Sequence, residues 1–192
     1  MVSALFVRKD SVYKGLGLDC WDEERNALLW PGGNPGIFHP PCRKWSQMHG
    51  FSKAPEEEKQ LGIWAVEQVQ RWGGVLEHPS SSGLWAFCGL PFNGRVDRFG
   101  GFITSVNLHW FGFPAEKKTW LYIVGCNVRD IPAYPLSFDA VTHVVARSRS
   151  SHKTGKKEIP KSMRDRTPIR MATWLTEICE IVAKGSHYHL KI

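Results

Sequence analysis

The sequence predicts an α/β layered domain with a largely parallel sheet. Short β-prone apolar runs alternate with segments of helical periodicity along the chain. The 192 residues, 42% hydrophobic and 22% charged, suit one globular domain with a sizeable core, so residues 1–192 are read as a single domain. The chain also holds 18 Gly, 12 Pro and nine Trp, which favours a tightly turned, aromatic-rich fold over a helical bundle.

Residues 2–7, Val-Ser-Ala-Leu-Phe-Val, read as a buried strand, and Leu18–Trp21 as a second. A turn of helix is expected over Asp22–Leu29, then a Pro/Gly turn cluster over 31–36. Ile37-Phe38-His39 reads as a strand end running into Pro40-Pro41-Cys42. A helix is expected from Pro55 to Trp72, with Glu56, Glu57 and Glu58 at the positive end of its dipole. Leu61, Trp64, Ala65, Val69 and Trp72 form its apolar face, and Gly73-Gly74 stop it. Val75–His78, Thr119–Val124 and Thr142–Ala146 read as strands. A last helix is expected over Pro168–Ala183, capped by Thr167, with Met171, Trp174, Leu175 and Ile178 on its buried face.

Charge is concentrated in one place. Residues 147–170 hold nine basic side chains against two acidic ones, which accounts for the whole net charge of +7. A basic stretch on a neutral body suggests a polyanion, here DNA; the plainer alternative is a solubilising loop. The five cysteines are scattered, odd in number and without a Cys-x-x-Cys pair, which sets aside a disulfide framework and a closed zinc site. His187 and His189 near the end of the chain read as an adventitious metal-binding pair, so no metal is expected. No apolar run approaches the ~20 residues of a membrane helix, and no leader pattern opens the chain. A cytoplasmic protein with no membrane partner is expected.

Three segments could carry chemistry. Cys42 follows two prolines that fix the backbone and precedes Arg43 and Lys44, cations that lower a thiol pKa. It is a candidate nucleophile, or a buried thiol in a proline turn. Glu77 ends an apolar strand, as an acid that anchors a ring nitrogen or as a surface carboxylate capping a turn. Lys117-Lys118 open a β-prone run that ends at Gly125. Trp45 and Trp85, in the loops 39–46 and 77–85 that follow the expected strands, could stack on a base. His39, His109 and His143 border apolar strands and read as core histidines.

Taken together, these segments resemble cytosine-C5 DNA methyltransferases. Pro41-Cys42 with Trp45-Ser46 behind it is similar to that family's Pro-Cys-x-x-Phe-Ser, and Glu77-His78-Pro79, 35 residues on, to its Glu-Asn-Val. Lys117–Gly125 resembles its basic strand motif, and Thr167-Pro168 before the terminal helix its last motif. The resemblance implies a Rossmann-like methyltransferase-type fold in which Cys42 adds to C6 of cytosine, Glu77 holds N3 and the amine, and Lys118 steadies the site. It implies S-adenosylmethionine as donor, with Asp19 or Asp22 in place of the ribose-binding acid. The Phe-x-Gly-x-Gly loop of the family has no counterpart before residue 37, so the cofactor half is abbreviated. The basic loop 147–166 stands where a target-recognition domain belongs, a reduction that suits a phage or mobile-element protein. Arg43, Lys44, Trp45, Lys153, Lys156 and Lys157 are the expected DNA contacts.

The leading expectation is therefore a DNA cytosine-modifying enzyme. Two alternatives stay open: a non-catalytic nucleic-acid-binding or anti-restriction module of the same fold, and a base-modifying or base-excising enzyme with another donor. His78-Pro79-Ser80-Ser81 is also superficially similar to the His-Pro-Ser loop of uracil-DNA glycosylases.

Overall fold

The computed structural model describes residues 1–46, 50, 52–92, 94–146 and 155–189, the last four of these as backbone alone. The fold is α/β, built on a six-stranded, mostly parallel sheet. Its strands are β1 (Ser3–Leu5), β2 (Asp19–Trp21), β3 (Gly36–Phe38), β4 (Gly74–Pro79), β5 (Phe102–Asn107) and β6 (Lys118–Val124), in the order β2-β1-β3-β4-β6-β5. β1 to β4 are mutually parallel. β6 is antiparallel to both β4 and β5, so β5 runs with the first four. The described residues also form the α-helices α1 (Val12–Gly15), α2 (Glu58–Trp72), α3 (Leu84–Phe87) and α4 (Ile169–His189).

Register explains why such short strands hold. Ala4, Ile37, Val75 and Ile123 lie side by side across the sheet, as do Leu5, Phe38, Leu76 and Tyr122. The first row packs under α4 with Met171, Leu175 and Ile178, the second under α2 with Ala65, Val66 and Val69. Both faces are therefore covered, and the strands read as continuous apolar runs rather than alternating ones. Each Leu, Ile or Phe fully buried here contributes roughly 1.5–3 kcal/mol.

Several expectations shift. α2 begins at Glu58, not Pro55, and its buried line is Gly62, Ala65, Val66 and Val69, with Leu61, Trp64 and Trp72 only half-buried. Gly73 caps α2, but Gly74 already belongs to β4. The turn after β2 is a short 3-10 helix, Ala27–Leu29. Of the strand expected over 142–146 only β7 (His143–Val144) forms, paired with β8 (Lys157–Glu158) in a separate two-stranded sheet. The basic segment is therefore not one continuous loop: β8 and a 3-10 turn at Lys161–Met163 order its second part, and residues 147–154 lie outside the described ones. No helix among the described residues is long and apolar enough to cross a membrane.

The strand order reverses between β1 and β3. A crevice at that switch point, beyond the carboxyl ends of the strands, is where open α/β sheets place ligands. A cavity of the described residues lies there.

Candidate functional site

The cavity holds about 960 Å³ and is lined by three strand ends and their loops. Phe6, Val7 and Arg8 follow β1; His39 to Arg43 follow β3; Glu77, His78 and Pro79 end β4. Lys117 and Lys118 enter where antiparallel β6 begins, and Arg164 to Thr167 close it from the segment before α4. Phe6 leaves β1 with φ 58, so the backbone turns sharply into the loop at a residue that is not glycine.

Local hydrogen bonds fix the loops. The His39 amide donates to the Leu5 carbonyl at 3.1 Å, which carries the parallel ladder one residue past β3. Pro40 and Pro41 hold the chain extended, and the Trp45 amide returns to the Cys42 carbonyl at 3.1 Å. The Gly83 amide ties this turn to the loop after β4 through the Trp45 carbonyl at 2.9 Å.

At the centre is a chain of three polar side chains. Tyr13 Oη lies 2.9 Å from His39 Nε2, and His39 Nδ1 lies 3.0 Å from Glu77 Oε2. Tyr13 is fully buried, and the side chains of His39 and Glu77 are each 13% exposed. Glu77 Oε1 is buried and has no hydrogen-bond partner among the described residues. Burial alone would raise the Glu77 carboxyl. The His39 hydrogen bond and the Lys117 charge outweigh it and hold the group down at about 2. Burial pushes the neighbouring His78 down to about 4, so it stays neutral at pH 7. Its ring stands edge-on to Trp85 with centroids 6.0 Å apart.

Cys42 is only partly exposed, and burial pushes its thiol up, with Lys117 pulling it down and Glu77 raising it. This corrects the expectation of a thiolate favoured by its sequence neighbours. Arg43 turns to the buried carboxylate of Glu58 at the start of α2, and Lys44 Nζ sits 2.7 Å from Glu56 just before that helix, so both cations are taken up. Lys117, not Lys118, is the cation acting on Cys42, Glu77 and His78. Its Nζ donates to the Arg164 carbonyl at 3.0 Å, while Lys118 borders the cavity as an exposed side chain.

The other expected residues lie apart. Trp45 is 7% exposed and packs on Phe87, and Trp85 donates its Nε1 proton to the Pro79 carbonyl at 2.8 Å, so neither ring is free to stack on a base. Lys156 and Lys157 stand outside the cavity wall, and Lys153 lies outside the described residues. Asp19 accepts from Ser3, Trp21 and Arg25, and Asp22 from Lys14 and the Arg25 amide. Neither borders the cavity, and Leu16 and Gly17 line a separate, smaller one against α4. These residues do not fit S-adenosylmethionine: both candidate acids for a ribose are already engaged, and the glycine-bearing turn faces away. No group of three or more His, Cys, Asp or Glu among the described residues is placed to hold a metal ion, and the side chains of His187 and His189 lie outside them.

Sequence reasoning passed over His39 and Tyr13 as site residues, and within the Lys117-Lys118 pair it gave the role to Lys118. His39 had a signal, since it sits at a strand end directly before the Pro-Pro-Cys turn. Tyr13 had none, because only the four-residue α1 brings it there. Comparison with known proteins matched the chain to no family model, no curated protein and no solved structure.

Proposed function

We propose that this is a Rossmann-like, methyltransferase-type domain that acts on cytosine in DNA, with Cys42 adding to C6 and Glu77 holding the Watson–Crick edge. One observation carries the reading. Cys42, Glu77 and the Lys117-Lys118 pair, from three separate segments, meet in one cavity beyond the strand ends. Its volume of about 960 Å³ takes a nucleotide, and a base from a duplex has to be flipped out to enter it.

The chemistry balances without any donor. The thiol proton leaves to solvent, the Cys42 Sγ–C6 bond forms, and the C5=C6 electron pair moves toward C5, where a solvent proton adds. On reversal C5 gives up either of its hydrogens, the Sγ–C6 bond breaks and the thiol takes its proton back. The net result is exchange of the C5 hydrogen with water. Lys117 stabilises the thiolate as it forms, and Glu77 accepts a hydrogen bond from the exocyclic amine.

The test is DNA carrying tritium at C5 of cytosine, incubated with the protein and no donor. Tritium appears in water with wild type and not with Cys42→Ala. Retention of the label on single-stranded and duplex DNA with folded wild type overturns the reading. It would favour the second one, a nucleic-acid-binding module, which the raised thiol of Cys42 supports.

A further inference from the structure

We propose that the open end of one face of β6, together with the loop before β5, forms a strip beside the cavity that holds single-stranded DNA by base stacking and phosphate contact. This rests on the reading of the protein as one that acts on DNA.

Side chains alternate along a strand, so Lys118, Trp120 and Tyr122 of β6 share one face. Tyr122 is fully buried, Trp120 half-buried and Lys118 exposed, so the cover on this face fades toward the cavity that Lys118 borders. β5 is the edge strand, and its Ser105, directly opposite Trp120, is small and exposed. Trp120 rests on the buried Trp85, with ring centroids 5.8 Å apart. Phe92 packs on Trp120 from outside, at 5.4 Å and 66°, and stays exposed. The loop that follows is pinned by Asp97. Tyr122 Oη donates to Asp97 Oδ2 at 2.6 Å, and the Phe99 and Gly101 amides donate to Oδ1 at 2.9 and 2.8 Å. Gly101 passes so close to Tyr122 that a Cβ would stand 2.4 Å from its ring.

The acid of the loop is thus turned inward, while Arg95, Val96, Arg98 and Phe99 face solvent. Arg98 lies over the Phe99 ring, 4.8 Å from its centroid. Neither arginine has a salt-bridge partner among the described residues. Exposed rings beside unpaired cations complement a single strand: its bases offer the π-faces that a duplex hides, and its phosphates meet the guanidinium groups. Because Asp97 already holds the loop, little ordering cost remains to be met on binding. The strip also lies where such a strand would be. A base turned out of a duplex leaves its neighbours unstacked, and Lys118 belongs both to the cavity border and to this face of β6.

The test is fluorescence anisotropy of a labelled short oligothymidylate, which carries no cytosine, across a salt series. Wild type should bind with an affinity that falls as salt rises. The double variant Arg95→Ala/Arg98→Ala should bind about tenfold more weakly, with a log–log salt slope shallower by about 1.4, at ~0.7 per phosphate contact on a single strand. Phe92→Leu keeps an apolar side chain on Trp120 but removes the ring. It should lose about fivefold or more at an unchanged slope, and Phe92→Tyr should restore the affinity. Arg129→Ala removes an exposed cation beyond the far end of β6 and should bind as wild type does. No binding by folded wild type overturns the proposal and points to a protein partner for the strip. Binding that the double variant or Phe92→Leu leaves unchanged overturns it as well. The tritium assay separates this outcome from the cytosine reading. If the variants behave as stated and no tritium is released, the cytosine reading falls and the strip stands. If tritium is released while the variants bind as wild type does, the strip falls and the cytosine reading stands.

Discussion

Gly74→Ala should cost far more than a glycine substitution usually does, and the cost should reach the cavity. Gly74 sits at φ +115, a conformation L side chains rarely adopt, and a Cβ there would lie 2.1 Å from the Gly36 carbonyl oxygen and 2.6 Å from its nitrogen. The strain alone is worth about 1–2 kcal/mol. The clash is with backbone, which cannot rotate out of the way as a side chain can. β3 must separate from β4, weakening the hydrogen bonds around the Gly36–Gly74 pair at about 1 kcal/mol each. The total comes to roughly 3–4 kcal/mol. Gly89→Ala supplies the control, since its φ is +60 and nothing lies within 4 Å of the added carbon, so only the strain remains. Urea unfolding followed by tryptophan fluorescence should place Gly74→Ala at least about 2 kcal/mol below Gly89→Ala at an unchanged m-value. Because the same pair of strands sets the spacing of His39 and Glu77, only Gly74→Ala should also disturb the carbon-13 NMR signal of the Glu77 carboxyl. Equal destabilisation by the two substitutions would refute the claim that close strand approach at Gly36–Gly74 positions the site.

Two further outcomes follow from the charges in the cavity. The Glu77 carboxyl is lowered from 4.5 to about 2, so its contribution to stability is full above the ordinary value and is lost as pH falls through the lowered one. Glu77→Gln should therefore flatten the acid limb: wild type should lose about 2 kcal/mol between about pH 6 and pH 3 that the variant keeps, read by urea unfolding at each pH. The Cys42 thiol lies above its ordinary 9.0, raised by burial and Glu77 and opposed by Lys117, so alkylation by iodoacetamide should be slow at pH 7 and climb past pH 9. Mass spectrometry of the Cys42 peptide should show Glu77→Gln faster and Lys117→Met slower than wild type at pH 8, and the reverse order would contradict the assigned charges.

The parts of the fold legible in the sequence were those in which one segment is apolar enough to speak for itself. Ile37-Phe38, Val75-Leu76 and Leu121–Val124 are buried on both faces, and their composition says so. β5 was not legible. Phe102 and Val106 are its only fully buried residues, and the polar Thr104-Ser105 between them hides the strand. Strand order, the antiparallel insertion of β6 and the two-residue β7 depend on pairing partners distant in sequence. In the site, Cys42 and Glu77 stood out because strand ends are where such sheets place ligands. The error at Lys117 and Lys118 was a single residue, enough to exchange a cation acting on the thiol for an exposed one. The direction of Arg43 and Lys44 was not legible either. Glu56 and Glu58 read as residues favoured by a helix dipole, and only the fold brings them against those two cations.

The same difficulty governs the basic segment. Counting charges treats every arginine as available to a polyanion. In the fold Arg166 pairs with Asp10, Arg164 with Glu158, and Arg8 bridges both Asp10 and Asp165. Together with Lys117 on the Arg164 carbonyl, these contacts tie the segment before α4 to the loop after β1 across the cavity. The paired side chains are about one-third to two-thirds exposed, so solvent screens each bridge and it adds little to stability. A phosphate meeting these arginines would exchange one partner for another and gain only the difference. The excess of +7 therefore overstates the free positive charge beside the cavity, and the proposed contact with DNA would have to draw on cations such as Lys118 and Lys157, whose side chains stand exposed.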